Sequence, residues 1–555
     1  MIRIDETGRL VRQRQRRQRL RQLKKQSSLT TTTTSKQQCR IIIILLLCSF
    51  FVIVLMYIQM IFHVMSYTTS SNNTNLLNDH ESTNYLLRRP SSSSDSMTKT
   101  NKHKQQFIVN PNVSYNVHSF YYPWYCNLKV DGVYMHWNHP LLKHWDEKIA
   151  QKYPYGPSSQ HNPLEDDIGS SYFPKLGTYS SIDPSIIHEH MKYFVQAGVG
   201  VAIVSWYPST YHDENGPQLS TRLPLILDIA LEYGIKVAIH IEPYPQRTTV
   251  EMFRNDVIEL LAQHGNHPAL YRLPKLESKS TTKRHQRQQQ QRSNLRAHNQ
   301  QQSAPSEESQ KQQPLLLPVL YVYDQYTMNP NEWRKVLGGH NTNDGLSIRG
   351  TQYDVIVLAL IVERNYWNDF VVGGGGGKGR SNHMDGDSND ISNSDHDNDN
   401  GIFDGGYTYF ASNTFSYGSN PNHWAQLQMK ATKQNKYFIP SVGPGYDDTR
   451  VRPWNYQNTK NRQNFTYYDE EWYSAIYTSN SKYISITSFN EWHEGTQIEP
   501  AISNKIDGLG YHYKDYEVEG GPDSYLIRTK YWVERYKKYQ TEQISSSNQK
   551  QEFEQ

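Results

Sequence analysis

The segment from which the fold is predicted most directly spans residues 184–244. It contains PSIIHEHMKYFVQAG (184–198), VGVAIVSWY (199–207), LPLILDIALEYG (223–234) and KVAIHIEPY (236–244). Apolar residues in the first and third segments recur at the spacing of one helix face, whereas the second and fourth segments are short apolar runs rich in β-branched residues. This alternation predicts helices that connect buried, parallel strands.

The same alternation extends in both directions along the chain. Six further apolar runs predict strands at 118–125, 317–324, 353–363, 401–410, 436–445 and 482–491. Eight strands alternating with helices predict an α/β fold, a (β/α)8 TIM-type barrel within residues 116–540. An open, doubly wound sheet is the alternative, although it lacks a G-x-G-x-x-G turn after its first strand.

Residues 1–40 are strongly basic and are followed by an apolar segment. This segment contains twelve Lys and Arg and two acidic residues, which gives it a charge of +10, whereas the whole chain of 555 residues carries +4. The rest of the chain is therefore acidic, and we do not expect it to bind nucleic acid. Residues 41–65 would span about 37 Å as a helix, enough to cross a bilayer. We expect an uncleaved signal-anchor rather than a cleaved signal peptide, with a cytosolic N-terminus and a lumenal remainder.

Several stretches of low complexity interrupt or flank the predicted barrel. Residues 66–115 are rich in Ser, Thr and Asn and predict a lumenal stem, and residues 541–555 predict a disordered tail. The stretches 275–313, rich in Gln, and 373–400, rich in Gly, Asp and Asn, predict disordered loop insertions. Of the three cysteines only Cys126 lies beyond the apolar segment, so a disulfide within the lumenal part is excluded.

The last predicted strand ends in SITSFNEWHEGTQIEP (485–500), which contains Glu491 and Glu494. Catalytic groups of barrels come from the carboxyl ends of the strands, and a strand-to-helix turn can bring two carboxylates three residues apart into one pocket. A glycosidase needs such a pair, one carboxyl protonated and one ionised. The alternative is two solvated loop glutamates.

Taken whole, FNEWHEGTQIEP resembles the glycoprotein endo-α-1,2-mannosidases of glycoside hydrolase family 99. Further stretches resemble the family in the same order: GVYMHWNHPLLKHWD, DDIGSSYFPKLGTYSS, SWYPS, HIEPY, GNHPALYR, VLYVYDQY, YTYF and PSVGPGYDDTRVRPWN. The resemblance covers roughly residues 118–540 outside the two insertions. It departs at YYPWYCN (121–127), where Pro123 predicts an irregular end of the first strand.

The resemblance implies a (β/α)8 enzyme of the Golgi lumen that works without a metal or cofactor. Its expected substrates are glucosylated high-mannose N-glycans, from which it releases a glucosyl-mannose unit with retention of configuration. By the match, Glu494 is the general acid/base and Glu491 the base acting on the substrate 2-hydroxyl. The expected sugar-binding residues are Trp206, Tyr409, Arg452, Tyr121, His240, Glu242 and His267.

Other interpretations of the same residues stay open at this point. His240 could be a core histidine, Trp206 a cap on the barrel, and Arg452 a surface ion-pair partner. An alternative function is a Golgi glycosyltransferase, which would need an acidic D-x-D motif. That spacing occurs at Asp385/Asp387 and Asp395/Asp397, both inside the Asp-rich insertion. A zinc hydrolase lacks an H-E-x-x-H or P-C-x-x-C partner for His240. A non-catalytic, lectin-like barrel is disfavoured because both glutamates are present.

Overall fold

The computed structural model describes residues 107–153, 160–211, 216–276, 314–339, 345–373, 401–516 and 520–553. The predicted cytosolic tail, membrane span and most of the stem, together with the bulk of both insertions, lie outside these residues. Among the described helices, none is both long and apolar enough to cross a membrane.

Nine of the ten strands in the described part of the chain run parallel and form a nearly closed barrel. Their order around the barrel is β8-β7-β6-β5-β3-β2-β1-β10-β9. The short β8 and β9 are separated by Pro440, and β8 pairs with β7 while β9 pairs with β10. The ten strands are β1 Ser114–Tyr121, β2 Val199–Trp206, β3 Lys236–Ile241, β4 Arg272–Pro274, β5 Leu316–Val322, β6 Ile356–Leu360, β7 Gly405–Tyr407, β8 Tyr437–Ile439, β9 Ser441–Val442 and β10 Ile484–Ile486.

Helices alternate with these strands, as the sequence predicts. The α-helices are α1 Leu128–Asp131, α2 Glu147–Ala150, α3 Pro184–Ala197, α4 Leu223–Glu232, α5 Val250–His264, α6 Pro330–Leu337, α7 Trp424–Gln434, α8 Thr466–Tyr473 and α9 Ser524–Phe553. The 3₁₀ turns are Pro163–Glu165, Leu219–Thr221, Gln325–Thr327, Pro421–His423, Pro453–Asn458, Gln463–Phe465 and Gly521–Asp523, and two π turns are Trp367–Val372 and Ser474–Thr478.

The unit α3–β2 shows why this sequence folds locally as it does. The side chain of Asp183 accepts a hydrogen bond from the N–H of Ser185 and caps α3, and Pro184 occupies the first turn, where its missing N–H is not needed. Gly198 ends the helix with φ +75°, a conformation that suits glycine. The chain then enters β2, whose eight residues are all buried between the barrel interior and the helices.

The structure differs from the sequence prediction at two elements. The short β4 pairs antiparallel with β5, joining Leu273 to Leu317 across the Gln-rich insertion. The C-terminal segment 541–555, predicted to be disordered, instead continues α9 as far as Phe553. Because an already formed helix gains one hydrogen bond for each residue added, a polar but Gly- and Pro-free segment can extend it.

The first strand ends at Tyr121, two residues before Pro123, as the irregular end predicted there requires. Its Phe120 points into the barrel, where the ring centroid lies 5.0 Å from those of His240 and Tyr409. Tyr321 and Tyr407 pack against the same ring. The barrel is therefore filled by aromatic side chains directly beneath the carboxyl ends of its strands.

Candidate active site

The two glutamates lie on a tightly bonded turn that follows β10 at the carboxyl end of the barrel. Ser488 Oγ accepts a hydrogen bond from the backbone N–H of Glu491 at 2.7 Å. Asp447 N–H donates to the carbonyl of Glu494 at 2.7 Å, and Gly495 turns the chain there with φ +60°. Any side chain at Gly495 would press on the Asp447 backbone, since an added Cβ would lie 2.8 Å from its carbonyl oxygen.

Glu491 is buried but has partners that favour its ionised form. Its Oε1 accepts a hydrogen bond from the backbone N–H of His493 at 3.1 Å. Burial raises the pKa of Glu491, whereas His136, the His493 N–H and Arg452 oppose that rise.

Glu494 has fewer stabilising contacts than Glu491. The hydroxyl of Tyr409 donates to its Oε2 at 3.4 Å, a long hydrogen bond. Burial raises the pKa of Glu494 and the charge of Glu491 raises it further, whereas Arg452 and the hydroxyl of Tyr409 oppose the rise. Because two neighbouring carboxylates resist ionising together, the pair favours a state in which one of the two carries a proton.

Arg452 lies beside Glu494 and belongs to a group of side chains that gather around Asp448. Nη1 of Arg452 lies 3.2 Å from Oδ2 of Asp448, and Tyr446 and Asn455 donate to the same oxygen at 2.8 and 2.9 Å. Asp448, Tyr446 and Glu494 together raise the pKa of Arg452 in spite of its burial, so its charge is retained. Arg452 is thus part of the site rather than a surface ion-pair partner.

On the opposite side of the pocket, His240 and Glu242 form a buried pair at the end of β3. Nδ1 of His240 lies 2.9 Å from Oε1 of Glu242, which also accepts a hydrogen bond from Ser205 Oγ at 2.9 Å. Nε2 of His240 lies 3.2 Å from the hydroxyl of Tyr407. The imidazole ring also stacks on Tyr409, with 6.0 Å between centroids, which connects this pair to the contacts of Glu494.

Behind the catalytic turn, a third glutamate of the same motif is completely buried. Glu499 Oε2 accepts hydrogen bonds from the hydroxyl of Tyr179 at 2.8 Å and from the indole N–H of Trp492 at 3.0 Å. Nε2 of His190 lies 3.3 Å from its other oxygen. Trp492 lies between the two catalytic glutamates in sequence, so Glu499 holds the turn from its inner side.

Aromatic rings cover Glu491 from the other side. His136 stacks on Trp124 with 4.6 Å between centroids and 1° between planes, and on His493 at 5.5 Å. The carbonyl of His136 lies 2.9 Å from Nε2 of His493. Burial lowers the pKa of His493 well below its usual value, so this ring stays neutral.

The structure brings six predicted residues to this region and separates two others from it. The six are connected to one another by side-chain contacts or charge interactions, and they are Glu491, Glu494, Tyr409, Arg452, His240 and Glu242. Trp206 is buried at the end of β2, and its indole nitrogen has no hydrogen-bond partner among the described residues. Such an unpaired donor is unusual in a protein interior, and an oxygen of a bound ligand could accept its hydrogen bond.

The prediction that Tyr121 lines the sugar site is wrong, because this side chain faces the helices. It is fully buried, its hydroxyl lies 2.9 Å from Nδ1 of His190, and its ring packs on Phe194 of α3. Successive residues of a strand face opposite sides, so the pocket position belongs to Tyr122, whose hydroxyl lies 2.5 Å from that of Tyr409.

The prediction for His267 is also wrong. This residue follows α5 and precedes β4, and its Nε2 lies 3.1 Å from Asp228 on α4. A loop that leads from a helix into a strand reaches the amino end of the barrel, opposite to the catalytic end. The position of GNHPALYR after a helical pattern already carried this information.

Other residues of the site were missed from the sequence, and their signals differ. The side-chain amide of Asn490 accepts the backbone N–H of Tyr122 at 2.7 Å and donates to its carbonyl at 3.0 Å, which joins the end of β1 to the turn that carries the glutamates. Asn490 adjoins Glu491, so its proximity was predictable. His136, Tyr179 and His190 lie far from the turn in sequence and approach it only through the fold. In the part of the chain that the structure describes, no group of three metal-ligating side chains comes together.

Comparison with known proteins agrees with this geometry. The sequence profile of glycosyl hydrolase family 99 matches residues 112–379 and 365–538. The chain is 42% identical over 428 residues to a glycoprotein endo-α-1,2-mannosidase of Xenopus laevis, covering 77% of this chain and 78% of that protein, and 41% identical to that of Rattus norvegicus, covering 77% and 76%.

Solved structures show the same relationship. The structure of the GH99 endo-α-mannosidase from Bacteroides thetaiotaomicron superposes with a TM-score of 0.58 at 34% sequence identity, covering 77% of this chain and 99% of that one. The second of the two stretches matched by the family profile, residues 365–538, includes the turn that carries both glutamates. The chain therefore belongs to glycosyl hydrolase family 99.

Proposed function

We propose that this glycosidase is an endo-acting, retaining α-1,2-mannosidase. Its substrate would be the Man-α-1,2-Man linkage next to a glucosylated mannose in high-mannose N-glycans, and its product a glucosyl-mannose unit. The observation that carries the proposal is the unequal pair of carboxyls, Glu491 and Glu494, at the carboxyl end of a family 99 barrel. The names of the relatives supply the linkage.

The environments of the two carboxyls support different roles. Arg452 lowers the pKa of both carboxyls, so their difference lies in the hydrogen bonds and in their mutual repulsion. Glu491 accepts a backbone N–H at 3.1 Å and is assigned as the base. Glu494 accepts the longer contact from Tyr409 at 3.4 Å, and the charge of Glu491 raises its pKa, so it is assigned as the acid. Such a difference between two carboxyls assigns acid and base in glycosidases.

The stereochemistry of an α-mannoside permits attack by its own 2-hydroxyl. That hydroxyl is axial and lies on the face opposite to the leaving oxygen. Glu491 removes the O2 proton, O2 bonds to C1, the bond from C1 to the leaving oxygen breaks, and Glu494 protonates that oxygen. Water then opens the 1,2-anhydro sugar at C1: Glu494 takes a proton from the water, and Glu491 returns its proton to O2. Two inversions give net retention.

The remaining side chains of the pocket would position the sugar. The hydroxyls of Tyr122 and Tyr409 lie next to Glu494, and burial raises the pKa of both phenols, so both stay hydrogen-bond donors. The His240–Glu242 pair would accept and donate hydrogen bonds to hydroxyls of the mannose. The unpaired indole N–H of Trp206 would donate to a sugar oxygen.

The proposal is tested with a glucosylated high-mannose oligosaccharide, incubated with the protein in the absence of nucleotide sugar and in the presence of a chelator. We expect release of a glucosyl-mannose unit, with the α-anomer as first product by NMR. A matched oligosaccharide methylated at O2 of the scissile mannose should bind but not be cleaved. Cleavage of the methylated substrate at a normal rate, or a sugar bound covalently to Glu491, would overturn the role of O2.

We further propose that the protein is a single-pass type II membrane protein of the Golgi, with the barrel in the lumen. The apolar segment 41–65 behind a basic flank supports this topology, and the sequons at Asn72, Asn112 and Asn464 are compatible with it. Protease protection of the barrel in sealed microsomes, together with a shift in mass after deglycosylation, tests the topology. Microscopy against a Golgi marker tests the compartment.

A further inference from the structure

An exposed aromatic surface lies next to the catalytic pocket and has no role in the chemistry proposed above. We define it as the aromatic ledge, formed by His144, Trp145 and Trp454. The imidazole of His144 stacks on Trp145 with 3.9 Å between centroids, and Trp454 meets both rings edge-on, at 4.6 and 5.1 Å. Trp145 is 68% exposed, which is unusual for the largest apolar side chain.

Hydrogen bonds hold the ledge in place. The N–H of Leu142 donates to the carbonyl of Val451 at 2.8 Å, and the indole N–H of Trp454 donates to the carbonyl of Leu142 at 2.8 Å. Nδ1 of His144 accepts the N–H of Asp146 at 2.9 Å, which fixes the imidazole plane. The exposed indole face is therefore presented on a fixed support, which lowers the entropy lost when a ligand binds.

Two separate segments of chain connect the ledge to the catalytic pocket. One runs from His136 and His139, whose rings pack on His493 at 5.5 and 4.7 Å, to Trp145. The other runs from Arg452, whose charge acts on Glu494, to Trp454 two residues later. The ledge is thus only a few residues along the chain from His139, which packs on His493, and from Arg452, whose charge acts on Glu494.

We propose that the aromatic ledge is an outer carbohydrate-binding subsite, which takes a further hexose of the same N-glycan beyond the two sugars joined by the cleaved bond. The inference rests on the proposed function. A pyranose presents a face of C–H groups that packs against an indole, and this contact needs no charge on the ligand. An enzyme that cleaves within a branched glycan has additional hexoses next to its pocket, and the ledge is placed to contact one of them.

The test uses the full-length protein and three substrates of the same linkage: a minimal glucosyl-mannosyl-mannoside, a complete free oligosaccharide and the intact glycoprotein. For Trp145→Ala we expect KM for the free oligosaccharide and for the glycoprotein to rise about three- to tenfold, and the minimal substrate to be unaffected. Trp145→Tyr should restore most of the loss. Tyr473→Ala, which removes another exposed aromatic (57% exposed) on α8, is the matched control and should change nothing.

Each other result overturns the subsite. Equal losses on all three substrates would show a structural role for Trp145, and a loss on the glycoprotein alone would show a contact with polypeptide. Unchanged KM on every substrate would show that nothing binds the ledge. Calorimetry gives a test that does not depend on cleavage: the affinity of Glu494→Gln for the complete oligosaccharide should fall when Trp145→Ala is added, and an unchanged affinity would overturn the subsite. If the wild-type protein cleaves none of the three substrates, that result contradicts the proposed function and not the subsite.

Discussion

Three glutamates in the nine residues 491–499 belong to one motif but have different surroundings: Glu491 and Glu499 are buried, and Glu494 is half-buried. Glu491 and Glu494 face the pocket, and the hydrogen bonds found for their carboxylates are a backbone N–H at 3.1 Å and a tyrosine hydroxyl at 3.4 Å. Glu499 lies behind the turn and accepts the donors of Tyr179 and Trp492 at 2.8 and 3.0 Å, with His190 nearby. The three carboxyls therefore differ in how many hydrogen-bond donors surround them.

This difference separates chemistry from support. A buried carboxyl with few donors holds its proton to a higher pH and can exchange it with a substrate. A buried carboxyl surrounded by donors is held in place, and it orients whatever donates to it. In the function proposed above the pocket pair reacts, and Glu499 is a positioning residue that acts through Trp492.

The largest expected effect comes from removing the reactive pair. Glu494→Gln should lower kcat by about 10²–10⁴-fold with a natural sugar leaving group, because general-acid assistance is lost. The loss should be much smaller with an activated aryl leaving group that needs no proton. Glu491→Gln should lose activity with both leaving groups, since the nucleophile is no longer activated. Steady-state kinetics on the two substrates distinguishes the variants, and identical profiles would contradict the assigned roles.

The next largest effect should come from the support behind the turn. Glu499→Gln changes the group that faces Nε2 of His190 at 3.3 Å in a fully buried place, so we expect a clear fall in melting temperature, because an unsatisfied buried polar group costs about 1–3 kcal/mol. Tyr179→Phe, which removes one donor and keeps the ring, should lower kcat about tenfold with KM nearly unchanged. The pH profile should keep its shape in Tyr179→Phe. A shifted profile would mean that Tyr179 acts on the reacting groups directly.

A buried glutamate outside the motif should make the stability of the folded protein depend on pH. Glu471 of α8 accepts the N–H of Gly443 at 2.7 Å, and burial raises its pKa to about 8. The folded protein therefore keeps a proton that the unfolded chain releases above about pH 4.5. Its contribution to stability is complete below that pH and is lost as the pH rises to about 8.

Replacing the carboxyl of Glu471 should make the free energy of unfolding depend less on pH. In Glu471→Gln the free energy of unfolding should fall less between pH 5 and 8 than in the wild type, by roughly 3 kcal/mol. Urea unfolding at several pH values measures the slope. Glu147→Gln, which removes an exposed carboxyl on α2, is the control and should retain the wild-type slope. An unchanged slope in Glu471→Gln would show that this carboxyl is already ionised in the folded protein.

The smallest expected effect concerns the Gln-rich insertion. Its two ends are held side by side by β4 and β5, since Lys275 N–H donates to the carbonyl of Leu315 at 2.8 Å. Replacing residues 277–313 by a short Gly/Ser turn should therefore change the free energy of unfolding by less than about 1 kcal/mol, because loop-closure entropy depends weakly on length. Chemical denaturation tests this, and a large loss would show that the insertion packs on the barrel.

Much of the barrel and the reactive pair could be predicted from the sequence, because both depend on local patterns. Strand and helix periodicity placed β2 and β3 within a few residues, and the motif placed Glu491 and Glu494 after the last strand. Predictions failed where the answer depended on which face of an element a residue occupies. Tyr121 and Tyr122 are adjacent and identical in type, yet only the second reaches the pocket.

By itself, the sequence determined the order of strands and helices, the family and the chemistry that two glutamates can perform, since these follow from periodicity and from residue type. The tertiary structure alone decided that His190 and Tyr179 meet Glu499, that His267 lies at the amino end of the barrel, and that Trp145 and Trp454 form one ledge. Contacts between residues far apart in the chain depend on register and barrel closure, and no local pattern records either of them.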